Sequence, residues 1–234
     1  MKKKNDSEEI VSLVSLWNNF GHLTAAQLEM VLKNSYNAGF RPGEVIVKQG
    51  SPASSVVFIS DGLVKVYMEG SGEKNIILRL AAPGKPVLDP GLFISRRNTL
   101  TVTAVSRTEV NFVSTEILQR LSGENSSFST GILKELSQQM FLVQNKLASV
   151  AGKRMAGRLA DTLLYLSEDI FKKNEFDIVL SRKEIGEMSN MAKECVVRVL
   201  NELEEEGAVK TDSSRIIILN PDKLREISDQ TSWM

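Results

Sequence analysis

From Tyr36 to Val113 the apolar positions fall into short runs of strand length: Val45 to Val47, Val56 to Ile59, Leu63 to Met68, Asn75 to Leu80, Thr99 to Ala104 and Val110 to Val113. Turn signals separate them at Arg41-Pro-Gly43, Gly50-Ser-Pro52, Ser60-Asp-Gly62, Glu69-Gly-Ser-Gly72 and Pro83-Gly84. Such spacing predicts an antiparallel barrel or sandwich, because parallel strands would need helical crossovers for which the chain leaves no room. Ahead of this region Leu13, Leu16, Trp17 and Phe20 form the apolar face of a helix from about Ser7 to Phe20, after five residues read as disordered. A second helix opens at Thr24, where Thr24-Ala-Ala-Gln27 has capping-box spacing before Leu28, Val31 and Leu32.

After the strands the period lengthens. Between Asn125 and Ala151 the residues Ile132, Leu136, Met140, Val143, Leu147 and Val150 recur at intervals of 4, 4, 3, 4 and 3, close to the rhythm of a two-helix seam. The stripe is narrow, and Gln138, Gln139, Gln144, Asn145 and Lys146 fill the other faces. A second copy of the chain is therefore the favoured partner, the chain's own barrel being the alternative. Gly152-Lys153-Arg154 interrupts the helix. The organisation predicted is a sensor barrel with N-terminal helices over 1–124, a dimerisation helix and hinge over 125–152, and a third segment over 153–234. This last part holds a helix from Met155 to Glu168, the apolar segment Ile178-Val-Leu180, two helices and a β-hairpin.

Composition narrows the function. Hydrophobic residues make up 42% of 234, enough for real cores, and 29 basic residues balance 29 acidic ones. Any attraction to nucleic acid must then be local rather than global. No apolar run reaches the length of a membrane span, and Lys2-Lys3-Lys4 leads into polar residues rather than a signal-peptide core, so a soluble cytoplasmic protein with no membrane partner is expected. One cysteine, Cys195, and one histidine, His22, exclude an intrachain disulfide framework, a four-ligand Cys/His zinc site and a four-cysteine iron–sulfur cluster within the chain. A nucleophile–base pair would have to use His22, in a helix-entry loop far from any nucleophile. No enzyme, metal or cofactor is expected.

The segment Ser181 to Leu219 carries the strongest signal, a winged helix-turn-helix. Ser181-Arg-Lys-Glu184 is a capping box for a short helix with Ile185 and Met188 inward, and Ser189-Asn190 supplies a corner that suits the left-handed tolerance of asparagine. In the next helix, about Ala192 to Glu206, Val196, Val199, Leu200 and Leu203 fall at i, i+3, i+4 and i+7 and form its buried stripe. Lys193, Glu194, Val197 and Arg198 then project from the opposite side near its N-terminal end, the end that a recognition helix inserts in the major groove. Lysine and arginine donate to guanine, and glutamate accepts from cytosine. The acidic run Glu202, Glu204, Glu205 and Glu206 should point away from a duplex. Gly207 ends the helix, and Val209 to Thr211, an Asp212-Ser-Ser214 turn and Arg215 to Leu219 make the wing, on which Lys210 and Arg215 are phosphate-contact candidates; Ser181 and Arg182 at the start of the motif are further DNA-binding candidates.

Four segments, Gly43-Glu-Val-Ile-Val-Lys-Gln-Gly50, Val57-Phe-Ile-Ser-Asp-Gly62-Leu-Val-Lys-Val, Gly157-Arg-Leu-Ala-Asp-Thr-Leu-Leu and Ile185-Gly-Glu-Met with Lys193-Glu-Cys-Val-Val-Arg198-Val-Leu, give nearly the whole chain a resemblance to the CRP/FNR family of bacterial transcription regulators. The resemblance implies an α+β fold: an N-terminal cyclic-nucleotide-binding-type β jelly roll, a long dimerisation helix and a C-terminal winged helix-turn-helix binding a two-fold symmetric operator. It implies double-stranded DNA and a second copy of the chain as partners, with RNA polymerase a further candidate. Lys193, Glu194 and Arg198 match the family's Arg-Glu…Arg base-reading set, with lysine for the first arginine.

The same resemblance argues against cyclic AMP. Members that bind it carry a Gly-Glu pair and an arginine for the cyclic phosphate, where this chain has Leu88-Asp89 and Asn98-Thr99. Where those members present Thr-Ser to the base from the long helix, this chain has Val143-Gln144. The Leu88 side chain is expected near the phosphate position. Arg96 and Arg97 beside the missing arginine are either a displaced anion site or exposed loop residues. A different small molecule, a protein signal and no effector at all stay open. Clustered cysteines and an axial ligand in the barrel, the marks of iron–sulfur and heme sensing, are missing. Cys195 is either a redox-sensitive thiol or a replacement for serine or threonine. A cyclic-nucleotide-type sensor whose C-terminal domain contacts protein rather than DNA is the alternative function.

Overall fold

A computed structural model describes residues 13–71 and 74–229. Its contacts divide the chain into two compact units, one of Met1–Met68 with Leu80–Phe141 and one of Glu69–Arg79 with Leu142–Met234.

The first unit opens with a helical segment, residues 13–16, and a 3-10 turn at Asn18–His22. The single helix expected to run to Phe20 breaks here, because Trp17 is extended (φ −160°, ψ 117°); the expected start of that helix and the first five residues lie outside the described residues. Helix α1, Ala25–Lys33, begins at a complete Thr24/Gln27 capping box. Eight strands follow along the chain: β1 Ser35–Phe40, β2 Val45–Val47, β3 Ser55–Asp61, β4 Val64–Glu69, β5 Asn75–Ala81, β6 Pro86–Val87, β7 Thr101–Ala104 and β8 Thr108–Ser114, with the short helix α2, Gly91–Ile94, between β6 and β7; of these, β5 as far as Arg79 is counted with the second unit. They form two four-stranded sheets, β1-β8-β3-β6 and β2-β7-β4-β5, whose registered pairs are antiparallel.

Strand β3 explains why its apolar run is continuous rather than alternating. Val57 and Ile59 face a core shared with Val64, Val66, Val102, Val110 and Phe112 of the two sheets. Val56 and Phe58, on the other face, meet the helices in a second core with Trp17, Phe20, Leu28, Leu121 and Phe128. Burial on both faces removes the polar half of the period. The rings of Trp17, Phe20, Phe58 and Phe128 pack with centroids 5.1 to 6.1 Å apart.

Helix α3, Thr115–Glu124, precedes the long helix α4, Ser126–Gly152. The apolar stripe expected to form one seam divides along α4. Ile132 is buried and Leu136 packs against the same aromatic core, so these two belong inside the first unit. The exposed large apolar residues are Leu133 (64%), Met140 (61%), Phe141 (61%), Leu142, Val143 and Leu147 (68%), with Val150 half-buried. Periodicity finds a stripe but does not distinguish two neighbours that share it.

In the second unit, helix α5 runs Met155–Tyr165 and continues as a π-helical turn, Leu166–Phe171. Strand β9 is Glu175–Asp177, just ahead of the apolar segment expected there: Arg215, Ile216 and Ile217 of β11 pair with Asp177, Phe176 and Glu175, the Ile178 amide donates to the Ser214 carbonyl at 2.8 Å, and Ile178 and Leu180 are buried beyond the strand. Helices α6, Arg182–Ser189, and α7, Lys193–Glu205, come next, then β10 Val209–Asp212, β11 Arg215–Ile218 and a closing helix α8, Pro221–Asp229. The sheet order is β10-β11-β9. Leu159, Leu163, Ile185, Val196, Val199, Leu203, Ile216 and Leu224 are buried here. No helix among the described residues is long and apolar enough to cross a membrane.

Candidate DNA interface and the barrel pocket

The positions of the candidate reading residues follow from two local devices. Ser181 caps α6: its Oγ accepts from the Glu184 amide at 3.2 Å while the Glu184 carboxylate accepts from the Ser181 amide at 2.8 Å. At the other end Asn190 takes the left-handed conformation, φ 53° and ψ 54°, and the Met191 amide donates to the Gly186 carbonyl at 2.9 Å. This tight corner starts α7 with Ala192 as N-cap.

Helix α7 buries Val196, Val199, Leu200 and Leu203 and exposes Lys193, Glu194, Val197 and Arg198. The structure therefore brings the four sequence-predicted readers to one exposed N-terminal face. Arg198 is held weakly, with Nε 3.9 Å from Glu202 and Nη2 3.9 Å from the Met155 sulfur, so it can turn outward with little lost. Cys195 is half-buried on the same helix. The acidic run is partly committed to structure, since Glu204 accepts from the Thr211 amide of the wing at 2.5 Å.

The wing is the β10–β11 hairpin. Lys210 is exposed on it, and Arg182 of α6 steadies its turn by donating to the Ser213 carbonyl at 3.3 Å. Arg215 is placed differently from Lys210. It pairs with Glu175 at 2.9 Å and Asp177 at 3.3 Å, so a phosphate would compete with two carboxylates for it.

Behind the corner two cations hold backbone carbonyls. Lys146, from the last turns of α4, donates to the Met188 carbonyl, and Arg158 of α5 donates to that of Asn190 at 3.1 Å. Cations at the C-terminal end of a helix satisfy its orphan carbonyls and suit its dipole. Sequence reading missed both residues, whose signal is only their spacing from a corner far along the chain. Burial lowers the Lys146 ammonium to about 8, with Asp161 opposing by a smaller upward pull; Arg79, Lys153 and Arg158 are the other charged groups lining this region. Between about pH 8 and the ordinary lysine range the unfolded chain holds the proton that the folded one has lost, so stability rises with pH across that window and the full cost is present below it. Lys146→Met should therefore raise stability at pH 7 by on the order of 1–2 kcal/mol, a gain that shrinks above pH 8. Urea unfolding of both proteins at neutral and alkaline pH measures it; an equal difference at the two would exclude the lysine charge as its cause.

In the barrel, Asp89 is 5% exposed and its carboxylate receives four donors: the Gly91 amide at 2.7 Å and Thr99 Oγ at 2.8 Å on Oδ1, the Thr99 amide at 2.8 Å and the Leu100 amide at 2.9 Å on Oδ2. Backbone amides converging this way form an anion nest, here occupied by the chain's own acid. Asn98 is buried and spends its Nδ2 on Ser51 and Pro52, at 3.0 Å to the Ser51 hydroxyl and 3.2 Å to the Pro52 carbonyl. The cavity beside Asp89 and Asn98 measures only about 10 Å³, the space of a single water. Leu88 is not near it as expected: its side chain is buried in the aromatic core on the other face, because adjacent residues of extended chain point oppositely. Arg96 and Arg97 are exposed, and Arg97 donates to the Gly50 carbonyl at 2.7 Å. Val143 and Gln144 are exposed residues of the second unit.

Comparison with known proteins matches residues 39–125 to the cyclic nucleotide-binding domain and residues 157–227 to the Crp-like helix-turn-helix domain. The cAMP-activated global transcriptional regulator CRP of Salmonella typhimurium is 23% identical over 199 residues, 83% of this chain and 95% of that protein. The transcriptional regulatory protein btr of Bordetella pertussis is 24% identical over 194 residues, 81% of this chain and 80% of that one. Among solved structures, FixK2 of Bradyrhizobium japonicum superposes with a TM-score of 0.76 at 20% identity, covering 84% of this chain and 98% of its own.

Proposed function

The chain belongs to the CRP/FNR family of DNA-binding transcription regulators, which are not enzymes, and from that premise we propose that it acts as a homodimer reading a two-fold symmetric operator, with a barrel pocket that does not take cyclic AMP. The observation that carries the reading is α7, whose one face is fully buried while Lys193, Glu194, Val197 and Arg198 stand exposed at its N-terminal end. The matched helix-turn-helix model favours DNA over protein as the partner of this face. Lys210 and Arg182 fit phosphate contacts at its edges. The exposed apolar face of α4, from Leu133 through Met140 and Phe141 to Leu147, supports pairing with a second copy, which would set two α7 helices about one turn of DNA apart. Asp89 in the amide nest and Asn98 at the position of the family's phosphate arginine support the pocket reading.

Operator fragments recovered by genome-wide binding, followed by gel shift, test the proposal. Arg198→Ala should weaken specific binding by about 1–3 kcal/mol and relax preference at one base position of each half-site. Unchanged affinity and preference would remove Arg198 from the reading set, and loss of the steep salt dependence expected of phosphate contacts would remove DNA as the partner.

A further inference from the structure

A cavity of about 610 Å³ lies within the second unit, walled by the last turns of α4, by α5, by the end of α6 and by Leu78 and Arg79 of β5. Its volume falls in the range of small-molecule sites. The wall is largely apolar, with Leu142, Val150 and Met188 prominent, yet four cations reach it: Arg79, Lys146, Lys153 and Arg158. Among the described residues Asp161 is the one carboxylate lining it, and its oxygens are already taken by Lys153 at 2.8 Å and by the hydroxyls of Ser149 and Ser228. The Arg158 Nε is buried and has no hydrogen-bond partner. Lys153 is paired with Asp161, so Lys146 and Arg158 stand at the cavity partly dehydrated and with no carboxylate of its lining hydrogen-bonded to them, an arrangement that costs free energy until an anion enters.

We propose that this cavity is a binding site for a small organic anion, its acidic head on Lys146 and Arg158 and its apolar body against Leu142, Val150 and Met188. The two cations that would grip the head are those that hold the Met188 and Asn190 carbonyls, so the ligand exchanges with contacts made to the corner from which α7 starts. The chain thereby has an open, cationic site beside its helix-turn-helix and a barrel pocket filled by Asp89.

Anilinonaphthalene sulfonate, a sulfonate on an aromatic body, is a suitable probe, titrated by fluorescence into the full chain beside its uncharged counterpart phenylnaphthylamine. Saturable binding of the sulfonate is expected. Its affinity should fall about tenfold or more in Lys146→Gln/Arg158→Gln, which removes the cations, and in Ala148→Phe, which fills the cavity and leaves every charge in place. The uncharged dye should respond to Ala148→Phe alone. Circular dichroism melting establishes that each variant is folded, and Ala148→Phe decides if the double variant is not. An unsaturable signal, an affinity unchanged in the folded variants, or equal binding of the two dyes to the unmodified chain would overturn the proposal.

Discussion

Asp89→Ala is expected to destabilise the first unit by about 3–5 kcal/mol, among the largest effects of any single polar substitution in the chain. Three amides and a hydroxyl converge on this carboxylate; Gly91 is buried with it, Leu100 is half-buried and Thr99 lies at the exposed edge. Removing the acceptor leaves each donor without a partner at a cost of about 1–3 kcal/mol, part of which one entering water recovers. Asp89→Asn discriminates this account from one of packing. The asparagine side chain is nearly the same shape, but its NH₂ would face an amide that also donates. Since both carboxylate oxygens accept from backbone N–H groups, neither amide flip avoids the conflict. The asparagine variant should therefore lose nearly as much stability as the alanine one. Urea unfolding gives the comparison; an asparagine variant as stable as the parent would mean that shape, not acceptance, is what the site needs. The Asp89→Ala variant should regain part of its loss in high inorganic phosphate, since the vacated donors suit an anion.

What the sequence conveyed and what it hid divide along a physical line. Features set by neighbours within four or so residues were legible: the capping boxes at Thr24 and Ser181, the left-handed corner at Asn190 and the buried stripe of α7 all appear at the expected positions. Features set by distant partners were not. Strand β1 is Ser35–Phe40, a stretch with little alternation that becomes a strand because β8 pairs with it from Ser35↔Val113 to Phe40↔Thr108. The stripe on α4 has one period but two neighbours, so Ile132 went inward where a seam was expected. At the candidate sites, spacing alone put the four proposed readers on the face of α7 that the structure leaves exposed. Asp89 was picked out as a departure from a ligand-binding pattern, yet its role as the occupant of the nest depends on Thr99 and Leu100 folding back over it, which no local spacing encodes. Lys146 and Arg158 lay beyond reach for the same reason, 42 and 32 residues from the carbonyls that they hold.

Gly186→Ala should drop operator affinity toward the non-specific level, roughly a thousandfold or more, without touching a single DNA-facing atom. A Cβ built on Gly186 would stand 2.5 Å from the Met191 carbonyl oxygen and 3.5 Å from the Val196 side chain. The first contact is with backbone, so no rotamer relieves it, and the corner itself has to move. That corner is already constrained on every side: the Met191 amide donates to the Gly186 carbonyl, Asn190 sits at φ 53°, and Ala192 follows as the N-cap of α7. Any displacement passes directly to Lys193 and Arg198, three and eight residues beyond Asn190 on a rigid helix. Base contacts need side-chain donors within hydrogen-bond range of particular groove atoms, so a shift of an ångström or so removes most of the sequence-specific term and leaves the phosphate contacts. The same clash should cost about 3 kcal/mol of stability in the second unit, the upper end for overpacking. Circular dichroism melting and a gel shift with specific and scrambled fragments separate the two effects. The distinguishing outcome is a folded variant that binds both fragments alike; one that still prefers the operator would show that the corner tolerates a side chain and that α7 is positioned by its buried stripe alone.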